Sequence, residues 1–468
     1  MPTLIKNGRI VTAVDDCVAD ILVEDGRIRS IGRDLAVGPE AEVHDAAGLL
    51  VLPGGVDVHT HLDSATPTAS TVDDFASGTR AAAFGGTTTV VDYCTPLPGA
   101  SLLDGLADWH RRSASACVDV GAHMIVLDAN PGTLSEMKAL VQREGVSSFK
   151  FFMAYPGALM LEDGALFRAL RAAGALGALS CVHAENGPVI QALVQAALAQ
   201  GHTAPRYHAL TRPPILEGEA AQRAVDLAEL AGAPLYIVHL SSAHALAVVA
   251  RARQRGRPVY AETCPQYLLL DEREYERPGF EGAKFVMSPP LRGPEHPPQL
   301  WRGLHTGDIQ TVATDHCAFC FEARPHGLRH SKQLGIDDFS RIPNGAPGIE
   351  TRLPLLYDAA VVQRGVFLHR FVDLVATAPA RLFGLFPRKG TVAVGSDADL
   401  LLFDPDERWT VRASEHHSLA DHSLYEGREV TGRVKKVFLR GQCIVDGSRW
   451  LGREGMGQYL SRGVSGQL

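Results

Sequence analysis

Apolar positions along the chain follow two rhythms. Over 1–52 they alternate in short runs, as in LIKNGRIVTA and DILVEDGRIRSIG, and the same texture returns over 389–450 in GTVAVGSDADLLLFDP and VKKVFLRGQCIVDG. Alternation is the period of a strand with one buried face. Asn7-Gly8 and Asp25-Gly26 stand where hairpins would reverse, since both dipeptides tolerate the positive φ of tight turns. The economical reading is one small β-sandwich built from both ends of the chain, 1–52 with 389–450. Residues 451–468 form a Gly/Ser/Arg-rich tail, read either as an arm docked on another subunit or as a frayed end.

The middle, 53–388, alternates strand-like runs with amphipathic Ala/Leu/Arg-rich stretches such as ALFRALRAAGALG and EAAQRAVDLAELAG. The strand candidates are 54–62, 87–94, 118–127, 147–155, 178–186, 234–242, 258–268 and 309–317. Eight β units with helical crossovers predict an α/β fold, a closed parallel (β/α)₈ TIM barrel. The rival, an open doubly wound sheet, would place a Gly-rich phosphate loop after the first strand, and none is present.

Composition narrows the classes. The 468 residues are 46% hydrophobic and 21% charged with a net charge of −8, an ordinary globular balance without the basic footprint of a nucleic-acid binder. No apolar run has the length of a membrane span or the layout of a signal peptide. Eight scattered cysteines fit no disulfide framework, so they read as reduced and the compartment as cytoplasmic. Cys317 and Cys320 make a CxxC, but its second half is missing and coincidence explains it better than a zinc knuckle.

Candidate chemistry gathers at the ends of the strand runs. His59 and His61 are two apart on the first strand, so both imidazoles project the same way and can share one cation. Asp57 shares that face and is placed to orient an imidazole. His183 ends the fifth strand, His239 the sixth and Asp315 the eighth. One histidine in a strand is ordinarily a core residue; four with an aspartate at the rim where barrels keep their chemistry point to a metal site. Lys150 lies in FKFFM among aromatic residues, where burial favours the neutral amine. A neutral amine reacts with carbon dioxide to give a carbamate, an anionic oxygen ligand able to bridge two cations. Tyr155 ends the same run, where a tyrosine either packs or leans over the rim.

HTH at 59–61, SFKFFMAY, VHAENG, VHLSS, AETCPQYL, MSPPLR, TDHC and IPNGAPGIE occur in this order across nearly the whole chain. Together they resemble the amidohydrolase superfamily, and within it the dihydropyrimidinase/hydantoinase family. The resemblance implies a TIM barrel with a β-sandwich from both termini, two Zn²⁺ per subunit and a homotetramer. It makes His59, His61 and Asp315 ligands of one metal, His183 and His239 ligands of the other, and Lys150 the bridging N6-carboxylysine. Tyr155 then bonds the substrate carbonyl oxygen, and Ser288 and Asn344 hold the cyclic amide largely through their backbones. Pro188 and Ala318 depart from the family pattern, in which Asp follows HAENG and Pro follows TDHC.

The implied activity is hydrolytic opening of 5,6-dihydropyrimidines or 5-substituted hydantoins to N-carbamoyl amino acids by a metal-bridging hydroxide. Asp315 would relay the proton to the leaving nitrogen. Leu62, Phe152 and Leu159 are candidates for an apolar wall that selects the C5 substituent, and each also fits an ordinary core position. A one-metal deaminase has no use for Lys150. A dihydroorotase would carry Arg where Asp63 stands. Two alternatives stay open: an allantoinase-type cyclic ureide hydrolase, and a non-catalytic scaffold like the collapsin-response mediator proteins.

Overall fold

The computed structural model describes residues 2–66, 68–97 and 99–464. Strands β1 (Thr3–Val11), β2 (Asp16–Glu24), β3 (Arg27–Gly32), β4 (Glu42–Asp45) and β5 (Leu50–Pro53) open the chain. They join β14 (Leu400–Thr410), β15 (Glu429–Leu439), β16 (Gln442–Asp446) and β17 (Arg449–Trp450) in one nine-stranded mixed sheet, ordered β17-β16-β15-β14-β5-β1-β2-β3 with β4 on β1. Strands β5 and β14 meet antiparallel at its centre and are buried on both faces where they pair. Alternation sorts their side chains. Val51, Leu400 and Leu402 enter a small core with Ile10, Ile21 and Phe438, whereas Leu50, Leu52, Leu401 and Phe403 face the large core shared with the barrel helices.

Asp25-Gly26 makes the expected reversal between β2 and β3, with both residues at positive φ. Asn7-Gly8 does not turn the chain. It lies within β1 as a bulge opposite β2, with Asn7 at φ 61°. Gly8 is required there by close approach, because a Cβ would stand 2.3 Å from Val51 Cγ2.

The eight parallel strands are β6 (Gly55–Thr60), β7 (Thr87–Cys94), β8 (Asp119–Ile125), β9 (Ser148–Phe152), β10 (Leu179–His183), β11 (Leu235–Ile237), β12 (Val259–Thr263) and β13 (Thr311–Val312), hydrogen-bonded in chain order. Thr60 pairs with His316 and closes the ring. Buried Arg352 ties this seam, donating to Val56 O and Val312 O, both at 3.0 Å. Apart from β7, each strand is shorter than its hydrophobic run. The seventh run is read from the sequence as strand through 268, but Pro265–Leu269 is a short helix, because proline is accommodated in a helix's first turn.

Inside the barrel, Val56, Val58, Val91, Leu179, Cys181 and Tyr236 pack with Leu382, Phe383 and Leu460. The last of these comes from the tail, which is ordered against this chain's own barrel over residues 458–462. β8 and β9 pair only at Met124–Phe149 and Ile125–Lys150, and the tail fills the gap between their beginnings. Val120 N donates to Gln458 O and Leu460 N to Val120 O. Arg462 donates to Ala122 O and to Ser148 Oγ, the latter at 2.8 Å.

All eight cysteines are free thiols, and no helix among the described residues is long and apolar enough to cross a membrane.

Leu460→Ala is expected to lower stability by about 2–5 kcal/mol, the cost of a cavity left by a fully buried leucine. Chemical denaturation checks this; an unchanged midpoint would mean that the tail does not fill the barrel floor.

Candidate metal centre

His59 is the penultimate residue of β6, and His61 follows one residue past the strand. The next two site residues stand beyond their strands: β11 stops at Ile237 and β13 at Val312, so His239 and Asp315 sit on the loops that leave them. Both are at positive φ, 38° and 52°, as is Tyr155 at 64°. A left-handed backbone costs a residue with a side chain about 1–3 kcal/mol and persists where neighbours hold it. It turns these side chains back over the strand ends, where straight strands would carry them away.

His59, His61 and Asp315 converge. One ligand atom from each lies within 4.8 Å of the others. Asp315 Oδ1 is 3.1 Å from His59 Nε2 and 3.3 Å from His61 Nε2. The His239 ring is centred 5.3 Å from that of His59 and 4.5 Å from that of His183. Lys150 Nζ stands 4.4 Å from the centre of the Tyr93 ring, which also packs on His59 at 4.7 Å. Phe152 and Tyr155 lie against His183 at 5.4 and 5.5 Å. Thus all six expected ligand residues reach one rim, although only the first three form a close cluster. His183 Nε2 is 2.8 Å from Glu185 Oε2, an engagement the sequence did not suggest.

Electrostatics suits a cation. Burial works against protonation of His61 and His239 and holds both below the ordinary imidazole value. Burial would raise Asp315, but His59 and His61 outweigh it and hold its carboxyl well below the usual range. Burial also pushes Lys150 down to about 8. The neutral imidazoles of His61 and His239, an anionic carboxylate and a lysine whose neutral amine burial makes more accessible form a donor set. His239 Nδ1 is moreover buried without a hydrogen-bond partner among the described residues, and the one group close to His59 Nε2 is the Asp315 carboxylate. An orphaned imidazole nitrogen of this kind is costly unless something accepts its lone pair or proton.

Sequence reasoning missed the carboxylate beneath the cluster. Glu262 on β12 is fully buried. Its Oε1 meets His59 Nδ1 and accepts from His239 N at 3.0 Å, and its Oε2 accepts from the Tyr236 hydroxyl at 2.8 Å. Asp57, expected to orient an imidazole, instead accepts from Thr314 N and Oγ1 across the barrel seam. The available signal was a glutamate facing inward on an otherwise apolar strand.

The expected apolar wall divides. Phe152 and Leu159 pack with Tyr93, Ile125, Leu127 and Tyr155 beside the rim. Leu62 faces the other way, into the helix layer; a Cβ on Gly78 would stand 2.3 Å from its Cδ2. Ser288 Oγ is buried without a partner among the described residues, and Asn344 O accepts from Cys317 Sγ at 3.7 Å. Pro188 sits in the first turn of the helix Gly187–Ala199, and Ala318 packs against Val72 and Ala420, so neither departure touches the cluster.

A closed eight-stranded parallel barrel with imidazoles and a carboxylate gathered at the strand ends defines a barrel enzyme built around a metal site. The chain belongs to the amidohydrolase family, whose sequence model matches residues 50–444. It is 48% identical to a D-hydantoinase of Geobacillus stearothermophilus, across 100% of this chain and 98% of that protein. It is also 48% identical to a D-hydantoinase of Streptomyces coelicolor, across 98% of each. The solved dihydropyrimidinase of Brevibacillus agri superposes with a TM-score of 0.97 at 47% identity, covering 100% of both chains.

Glu262→Gln removes the charge facing His59 Nδ1 and is expected to weaken metal affinity about 10–100-fold. Competition against a chelator measures it; wild-type affinity would show that Glu262 only packs.

Proposed function

We propose that this chain hydrolyses cyclic amides and imides, opening 5-substituted hydantoins or 5,6-dihydropyrimidines to N-carbamoyl amino acids. The carrying observation is the gathering of His59, His61 and Asp315 at the barrel rim, beside His183, His239 and Lys150, in a chain nearly half identical to named D-hydantoinases. In this reading His59, His61 and Asp315 hold one Zn²⁺, His183 and His239 a second, and Lys150 carries a carboxyl group that serves both. Two such cations supply a nucleophilic water at neutral pH and polarise the scissile carbonyl.

The chain's own groups do the rest. Lys150, lowered to about 8 by burial, has a neutral fraction near neutral pH. Its amine nitrogen bonds to the carbon of carbon dioxide and gives up a proton, leaving an anionic carbamate. Asp315 stays ionised across the working range, so it can accept the proton lost by the attacking water and return it to the leaving ring nitrogen. Burial and then Glu185 push Tyr155 up to about 12, which keeps the phenol protonated as a donor to the carbonyl oxygen. Backbone groups at Ser288 and Asn344 hold the ring amide. The wall of Phe152, Leu159 and Leu127 faces the C5 substituent, and the names of the relatives support D stereochemistry there. By the family resemblance the working form is a homotetramer, and the unpaired cysteines support a cytoplasmic compartment.

Steady-state kinetics on dihydrouracil, 5-methylhydantoin, 5-phenylhydantoin and allantoin, after reconstitution with zinc and bicarbonate, test the reading. Turnover of hydantoins or dihydrouracil well above allantoin is expected; no turnover of any cyclic ureide would overturn it.

Lys150→Ala is expected to lose bound metal and turnover together, and full activity with two metals retained would reject the carbamate. Tyr155→Phe should keep its metal and lose about 10²–10³-fold in kcat, as removal of one oxyanion donor does.

A further inference from the structure

Lys332 is 0% exposed and has no carboxylate partner among the described residues. Its ammonium donates instead to three backbone carbonyls: Val286 O at 2.7 Å, and Pro343 O and Gly345 O at 2.6 Å each. Three acceptors saturate an ammonium. The two segments so joined are those that carry Ser288 and Asn344. Val286 lies two residues before Ser288, and Pro343 and Gly345 flank Asn344. Gly345 N also donates to Val286 O at 3.1 Å, and His208 donates to Met287 O at 2.8 Å. The lysine itself comes from a third segment, the 3₁₀ turn Lys332–Gly335. A buried cation is costly to desolvate, and an apolar side chain of equal length would fill the space without that cost. What the apolar side chain would lose is the three-way tie.

We propose that Lys332 is a positioning residue for the cyclic substrate, its ammonium locking the segments of Ser288 and Asn344 into one jaw whose backbone groups grip the ring amide. The proposal rests on the substrate reading given above. It adds a test in pH. Burial pushes Lys332 down to about 7, with Cys317 opposing. The other titratable groups that face it are His208 and His422, both held below the ordinary imidazole value by burial, while burial pushes the Cys317 thiol up. Over about pH 6 to 9 Lys332 is therefore the member of this group that changes charge. Losing its proton removes the donor from one carbonyl and weakens the jaw as pH rises.

The experiment uses the full-length enzyme reconstituted with zinc and bicarbonate, assayed on 5-methylhydantoin. Lys332→Met is expected to raise KM about tenfold with kcat changed less than about threefold. Metal content should stay at the wild-type level. The wild-type KM should climb from about pH 6 to 9, and that climb should be absent in the variant. Amide hydrogen exchange should quicken over 286–288 and 344–345 and stay unchanged over β6. Unchanged KM with metal retained, or joint loss of metal and kcat, overturns the clamp. If the variant does not fold, the wild-type profile decides, and a flat KM overturns it. If the wild type opens no cyclic ureide, the substrate reading fails separately, and exchange alone decides whether Lys332 holds the two segments.

Discussion

A single buried carboxylate organises the centre. Glu262 engages a ring nitrogen of His59, the backbone nitrogen of His239 and the hydroxyl of Tyr236 with two oxygen atoms and no solvent. Removing a carboxylate's hydration costs several kcal/mol, and full satisfaction by neighbours offsets it. That satisfaction fixes which nitrogen of His59 faces outward to the rim and holds His239 in its left-handed backbone. The positions of two imidazoles, one on a strand and one on the loop beyond another, are therefore set by one group on a third strand.

Above that anchor the loops supply what strands cannot. A strand delivers side chains at fixed spacing and fixed direction, which suffices for His59. Asp315, His239 and Tyr155 must bend back toward the axis, and each does so with positive φ just past a strand end. The barrel is rigid where it holds Glu262 and strained where it presents donors, a division suited to a site whose ligands must not relax away from one another.

Much of this was legible in the residues. The i, i+2 spacing of His59 and His61 by itself dictates a shared direction, and eight apolar runs separated by amphipathic helices dictate the barrel. What failed did so because its meaning is tertiary. Asn7-Gly8 carries a turn signal, but pairing with β2 uses it as a bulge. Leu62 is apolar and next to the histidines, yet alternation sends it into the helix layer. Glu262 and Lys332 are lone charged residues with no periodic partner, and their importance arises only when distant segments close around them. Likewise, Asp57 shares a face with His59 by spacing, but closure of the ring brings Thr314 to it first.

The tail between β8 and β9 bears on how the molecule is made. Leu460 and Arg462 complete an interior whose other walls come from residues far earlier in the chain, and β5 at residue 51 pairs with β14 at residue 402. Synthesis runs from the amino terminus, so a nascent barrel emerges from the ribosome with its floor open and β5 paired on its β1 edge alone. Closure waits for residues 458–462 to emerge. Such long-range closure is slow and leaves apolar surface uncovered meanwhile. For this chain the tail acts as a latch on folding itself, and loss of Leu460 and Arg462 would be felt at the opposite end of the barrel from the chemistry.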